Sequence, residues 1–376
     1  MSANIKRILN LKGALSKKSQ ILLGPRQTGK SSLIRAQLKD AKVYDLLLKE
    51  TFKKLSFNPA AIREELSSKL VVVDEIQKLP SLLDEIQWLI ENKGVTFLLT
   101  GSSARRLKRQ GTNLLGGRAR ILKLHPFIRA ELKEKFSLEL AVNRGLLPSV
   151  YFSDDPEADL ESYVSLYLQQ EIANEGLTRN LPAFSRVLEV AALCQAEQTD
   201  YTAISNDAQV PRTTVHEYFQ ILEDTLLIHP LPVFKAAKKR KVVATAKYYF
   251  FDWGVAKQLQ GVGKIRIKSP LFGKAFESYL FHELKSYCDY RKAGDLTYWR
   301  TSDGSEVDFV LGDEISVEVK GKDTVTSKDL AGLRKLAEEN AIKHSVLVYL
   351  GPTIQAEYAG KIRIMNYADF LDWLWR

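Results

Sequence analysis

"ILLGPRQTGKSSLIRAQL", Ile21–Leu38, is the stretch whose reading decides the fold. Three apolar residues, Ile21–Leu23, predict a buried strand. Gly24, Pro25, Arg26, Gln27, Thr28, Gly29, Lys30 and Ser31 follow in the spacing G-x-x-x-x-G-K-S, and a helical pattern begins at Ser32. Glycines at these places let backbone N–H groups close around phosphate oxygens. The following helix sets its positive end beneath them. In such a loop Lys30 neutralises the β- and γ-phosphates and Ser31 supplies a magnesium ligand. ATP and Mg²⁺ are the expected cofactors.

A site of this kind needs an acid at the end of a second buried strand. "KLVVVDEIQKLP", Lys69–Pro80, supplies one. Asp74 is placed to hold magnesium through water, and Glu75 to orient or deprotonate an attacking water. The adjacent pair points to hydrolysis. "VTFLLTGSS", Val95–Ser103, is a third such strand, presenting Thr100 or Ser102 as a γ-phosphate sensor or simply ending in a turn. Beyond it lie Arg105, Arg106, Lys108, Arg109, Arg118 and Arg120. One of these, Arg118 above all, would serve as an arginine finger in trans, or the group forms a solvated basic face or nucleic-acid patch. Strand runs at 21–23, 42–46, 70–74, 95–100 and 119–124, with helices between, predict a parallel α/β sheet.

The charge distribution suggests three modules. Residues 1–128 carry 24 basic and 10 acidic side chains, residues 129–234 carry 7 and 17, and residues 235–376 carry 24 and 18. Two basic modules flanking an acidic one suggest a polyanionic partner, nucleic acid being the commonest. Solubility and attraction between modules would explain the same pattern. No run of about 18 apolar residues predicts a membrane-spanning helix. The start, "MSANIKRILN", has no signal-peptide core. Two cysteines make neither a disulfide framework nor a zinc site. The cytoplasm is the expected compartment.

In the acidic middle, "YTAISNDAQVPRTTVHEYFQILEDTLLIHPL" (Tyr201–Leu231) reads as two helices and a strand. Ile204 begins the first helix, Pro211 opens the second at its first position, and "LLIHPLPVF" forms a wing, as in a winged helix-turn-helix. The second helix presents Arg212 as its one clear cation, so phosphate contacts would have to come from Lys235–Lys241. Protein binding or a hinge is the other use of this fold.

The third module holds an amphipathic helix, "LFGKAFESYLFHELKSY" (Leu271–Tyr287), with Glu277 at the edge of its apolar face. "SEVDFVLGDEISVEVK", Ser305–Lys320, reads as a hairpin. Alternation puts Glu306, Asp308 and Val310 on one face and Val307, Phe309 and Leu311 on the other. A three-residue loop, Gly312–Glu314, sets Asp308 opposite Glu318 and keeps the apolar face intact. Two carboxylates so placed repel unless a cation lies between them. The spacing Asp-x9-Glu-x-Lys resembles the PD-(D/E)XK nuclease pattern. There Asp308 and Glu318 bind magnesium with the Val319 carbonyl, Lys320 assists the water or developing oxyanion, and Glu277 holds a metal-bound water. A solvated hairpin face is the plain alternative.

The whole chain resembles the prokaryotic AAA-superfamily P-loop ATPases fused to a C-terminal PD-(D/E)XK nuclease-like domain. The matching stretches, in order, are "GPRQTGKSSL", "VVVDEIQKLP", "LLTGSSARRL", "YTAISNDAQVPRTTVHEYFQILEDTLLI", "YYFFDWGVAKQL", "GKAFESYLFHEL" and "YWRTSDGSEVDFV…VEVKGK". The resemblance implies an N-terminal AAA-type ATPase, a helical and winged-helix module, and a C-terminal α/β nuclease-like domain. Val307 stands where the named motif has proline. The expected function is Mg²⁺-dependent ATP hydrolysis coupled to action on DNA. A nucleotide-switched regulator with an inactive nuclease-like domain is the second expectation, and a homo-oligomeric ring the third.

Overall fold

The computed structural model describes residues 5–103, 114–168, 180–235, 245–358 and 362–376. Arg105, Arg106, Lys108, Arg109 and most of the Lys235–Lys241 run lie outside them. Among the described residues no helix is long and apolar enough to cross a membrane. The chain divides into two units. One comprises Lys6–Pro126 with Ile221–Leu227, and the other takes in Phe127–Gln220 and Ile228–Arg376.

The first unit is built on five parallel strands, β1 (Ser19–Leu23), β2 (Lys42–Asp45), β3 (Leu70–Asp74), β4 (Thr96–Gly101) and β5 (Ala119–Lys123), in the order β2-β3-β4-β1-β5. All five residues of β1 are buried; Ile21–Leu23 give the apolar run of a parallel strand, while Ser19 Oγ accepts from the Phe97 N–H at 3.0 Å and Gln20 Nε2 donates to the Ala14 carbonyl at 3.0 Å. β4 lies between β1 and β3, so the ends of all three strands meet at one edge. Helices α1 (Lys30–Gln37) and α2 (Leu82–Lys93) follow β1 and β3. Leu82, Leu83, Ile86 and Leu89 of α2 join the strands' core with Val71, Val73, Phe97 and Leu99.

In the second unit, α3 (Leu181–Leu193) precedes α4 (Tyr201–Ala208) and α5 (Arg212–Asp224). Helix α4 starts three residues before Ile204, because Asp200 caps it, accepting from the N–H groups of Thr202 at 2.8 Å and Ala203 at 3.1 Å. Pro211 stands one residue ahead of α5. β6 (Ile228–Leu231) pairs antiparallel with β7 (Lys247–Phe250). These two strands lie on either side of residue 235 and belong to the same unit.

A six-stranded mixed sheet completes this unit, in the order β12-β13-β11-β10-β9-β8. Its strands are β8 (Leu296–Arg300), β9 (Glu306–Leu311), β10 (Ile315–Lys320), β11 (His344–Tyr349), β12 (Ile354–Tyr358) and β13 (Ile362–Asn366). Ile315–Val319 of β10 are all buried, so both faces of the sheet are covered. The long α6 (Pro270–Arg291) packs on β8, β9 and β10, and α7 (Ala331–Ala337) on β9, β10 and β11.

The hairpin has the three-residue loop and the register expected: Ile315 pairs with Leu311, Ser316 with Val310 and Val317 with Phe309. The alternation of faces does not hold. Against β8, Thr297 pairs with Val310 but Trp299 with Val307, so Asp308 and Phe309 together oppose Tyr298. This extra residue is a β-bulge, which re-aims side chains. Val307 and Val310, expected on opposite faces, share a core with Leu333 and Leu336 of α7. Phe309 turns towards Phe281 of α6, ring centroids 6.2 Å apart.

Candidate functional site

The loop from Gly24 to Gly29 connects β1 to α1. A Cβ on Gly24 would lie 2.5 Å from the Leu124 carbonyl oxygen, and Gly29 has φ +95°, so both positions require glycine. Lys30 is buried, and its ammonium donates to the carbonyls of Gly24 at 2.7 Å and Pro25 at 3.1 Å. Thr28 is wholly buried and donates to the Pro25 carbonyl at 2.9 Å. Arg26 bears electrostatically on Glu75, and Gln27 takes φ +62°. Ser32 is exposed and accepts from Arg35 at 3.3 Å.

The ends of β3 and β4 complete this site. Ser31 Oγ donates to Asp74 Oδ2 at 3.2 Å, and Thr100 Oγ1 donates to Asp74 Oδ1. The Glu75 N–H donates to Thr100 Oγ1 at 3.1 Å. Glu75 has φ +60°, a left-handed conformation that costs a non-glycine residue about 1–3 kcal/mol. Its carboxyl titrates above the usual range because it is buried, with Asp74 adding to the shift and Lys30 opposing it. Lys30, Ser31, Asp74, Glu75 and Thr100 are thus brought together. Arg118 pairs with Glu91 and donates to the Gly116 carbonyl at 3.3 Å, and among the described residues it joins none of the five.

Two residues here escaped the sequence reading. Gln77 donates to Glu75 Oε2 and, at 3.2 Å, to Ser102 Oγ, while its own Oε1 is buried with no partner. It therefore links the acid to the candidate sensor, and its place two residues after Glu75 was the available clue. Arg7 donates to the carbonyls of Thr28 at 2.8 Å, His125 at 2.5 Å and Pro126 at 3.2 Å. Nothing in the order of residues joins Arg7 to a loop 21 positions downstream. The donor set fits a magnesium nucleotide: an ammonium donating to two backbone carbonyls, glycine-gated amides, a serine hydroxyl beside a carboxylate, and a second acid one residue on.

The second cluster gathers β9, β10, α6 and β7. Asp308 Oδ2 accepts from the Val319 N–H at 2.8 Å. Glu318 is buried, with Oε1 accepting from Lys320 Nζ at 2.6 Å and Oε2 unpartnered. Burial, and then Asp308, push Glu318 well above the carboxylate range against the pull of Lys320. Burial likewise raises Asp308, opposed by Lys320 and Lys247. Glu277 accepts from the Tyr249 hydroxyl at 2.6 Å, and burial followed by Asp308 pushes it up to about 7. Among the described residues no three His, Cys, Asp or Glu side chains are arranged to hold a metal ion. Glu277, Asp308 and Glu318, the expected set, each accept from the chain itself, from Tyr249, the Val319 N–H and Lys320, and Glu318 Oε2 is left without a partner.

Residues 16–133 match the family model of the AAA domain. That match supports an ATPase of the AAA type in this part of the chain. Residues 135–266 match a domain of unknown function (DUF8612), and residues 272–370 another (DUF4143). A Haemophilus influenzae protein described as uncharacterized is 23% identical over 334 residues, 79% of this chain and 80% of its own length. Among solved structures, replication initiator DnaA bound to AMPPCP and single-stranded DNA is 15% identical, covering 58% of this chain and 89% of that one at a TM-score of 0.29. The Aeropyrum pernix ORC1 protein in complex with DNA is 14% identical, covering 69% and 94% at a TM-score of 0.25. Overlaps this slight carry no argument about this chain.

Proposed function

We propose that this protein binds ATP with Mg²⁺ and hydrolyses it. The observation that carries the reading is the convergence of Lys30, Ser31, Asp74, Glu75 and Thr100 at one edge of the parallel sheet. Ser31 and Asp74 would hold the magnesium, which supplies charge neutralisation for the phosphates. Lys30 exchanges its carbonyl partners for phosphate oxygens. Glu75, its carboxyl raised above the usual range by burial, takes the proton of the attacking water, and Thr100 with Ser102 and Gln77 fixes that acid in place. Lys30→Ala should abolish phosphate release from ATP, and hydrolysis at the parent rate would overturn the reading.

Under the same proposal the C-terminal site acts on DNA. Asp308, Glu318 and the Val319 carbonyl are the candidate magnesium ligands, and Lys320 serves the developing oxyanion. The carboxylates' raised pKa values and the unpartnered Glu318 Oε2 support it. The α4–α5 pair with β6 and β7 would be the winged-helix element of that action. A nucleotide-switched regulator with an inactive nuclease-like domain is the second reading, favoured by the lack of a three-ligand group among the described residues. Incubation with varied DNA and Mg²⁺ or Mn²⁺ decides between them: cleavage lost in Asp308→Ala supports the first, and intact DNA the second.

A further inference from the structure

One cation at the C-terminal cluster comes from outside the hairpin and its helix. Lys247 is the first residue of β7 and is 5% exposed. Its backbone is fixed on both sides, paired with Leu231 of β6 and bridged to Gln198. Its side chain runs over the Tyr298 ring, Nζ 5.1 Å from the centroid, and Tyr298 is the residue opposed by the bulge that holds Asp308. The ammonium pairs with Glu306. Glu306 is also held by Arg300 Nη1 at 2.6 Å. Burial works against the charged amine, yet Glu277, then Asp308 and Glu306, hold its pKa above the ordinary lysine value. The neighbouring Tyr249, two residues along the same strand, hydrogen-bonds Glu277.

We infer that Lys247, ion-paired to Glu306 of the hairpin, is a tethered cation that acts by charge on the neighbouring acids as a metal ion would, and so sets how strongly the carboxylate site takes a divalent ion. The charges explain why. Glu306 pairs with Lys247 and Arg300 and Glu318 with Lys320, while Glu277 and Asp308 bear electrostatically on Lys247. Such a group of buried acids needs cations nearby to remain ionised. The chain supplies one of them from β7. Lys247 is thus a positioning residue: it holds Glu306 and acts on the other acids of the cluster through charge. The inference rests on the proposed reading of Asp308 and Glu318 as metal ligands.

The test is Mn²⁺ binding to the nucleotide-free full-length chain, followed by electron paramagnetic resonance of the free ion, with binding that Asp308→Ala abolishes assigned to this site. Lys247→Gln should tighten that binding at least tenfold, whereas Lys247→Arg, which keeps the charge, should bind as the parent does. Binding that Lys247→Gln leaves unchanged or weakens overturns the role of Lys247 alone. No Asp308-dependent binding in any variant overturns the metal reading and this inference with it. Should Lys247→Gln not fold, Lys247→Met, which keeps the stem over Tyr298, takes its place. Failure of both to fold beside a folded Lys247→Arg makes the residue a structural ion pair and also overturns the inference.

Discussion

The two acidic sites use the same residue types and face opposite electrostatic problems. At the first, Asp74 is hydrogen-bonded by two hydroxyls, from Ser31 and Thr100, and Lys30 rests on carbonyl oxygens. These hydrogen-bond partners are neutral and can be exchanged for an ion and a phosphate, with Lys30 also bearing electrostatically on Glu75. At the second, Glu318 is paired with Lys320, and Glu306 with Lys247 and Arg300. An ion arriving there must compete with full charges fixed to the chain. The first site is poised to receive charge, and the second has already received its own.

The largest expected effect lies at the first site. Glu75→Gln should lower phosphate release by about 10²–10⁴-fold, the contribution of a general base, while nucleotide affinity stays close to the parent's. Fluorescent nucleotide titration beside a phosphate assay checks both halves. Loss of affinity equal to the loss of rate would make Glu75 a binding residue and break the contrast.

Two glycines give the next comparison. Gly24→Ala puts a methyl group 2.5 Å from the Leu124 oxygen and should destabilise the protein by about 1–3 kcal/mol in urea unfolding. Gly273 lies in α6 with nothing within 4 Å of its added Cβ. Gly273→Ala should therefore stabilise by about 0.5–1 kcal/mol. Equal effects would mean that the nucleotide loop is no more constrained than the helix beneath the second site.

The last comparison concerns pH. Glu277 is raised from 4.5 to about 7, chiefly by burial, so the folded state holds its proton more tightly than the unfolded chain does. Between those values the native state binds more protons, and stability must fall as pH rises. Below 4.5 and above about 7 this contribution is flat. Glu277→Gln, which keeps an acceptor for Tyr249, should flatten the slope across that window, read as melting temperature against pH. An unchanged slope would show that Lys247 already cancels the charge.

The first site was largely legible in the sequence because its parts lie at the ends of buried parallel strands, where apolar runs stop at polar residues. Ile21–Leu23 before Gly24 and Leu70–Val73 before Asp74 are such endings. The hairpin register was legible too, since loop length fixes it. The facing of its side chains was not, because one extra residue between Val307 and Val310 cancels the alternation and depends on the pairing with β8. Lys247 was hidden for another reason. It meets Glu306 from 59 residues away, on a strand whose pairing no local pattern announces. The basic run before it drew attention instead.

Arg7 has a consequence for where the gene can be cut. The AAA match begins at residue 16, but the folded unit begins at Lys6. A fragment trimmed to the matched boundary would strip the guanidinium from the carbonyls of Thr28, His125 and Pro126. It would keep every residue of the nucleotide motif and lose the brace that ties its loop to the far end of the same unit. Inactivity in such a fragment would report the missing arginine, not the chemistry of the site.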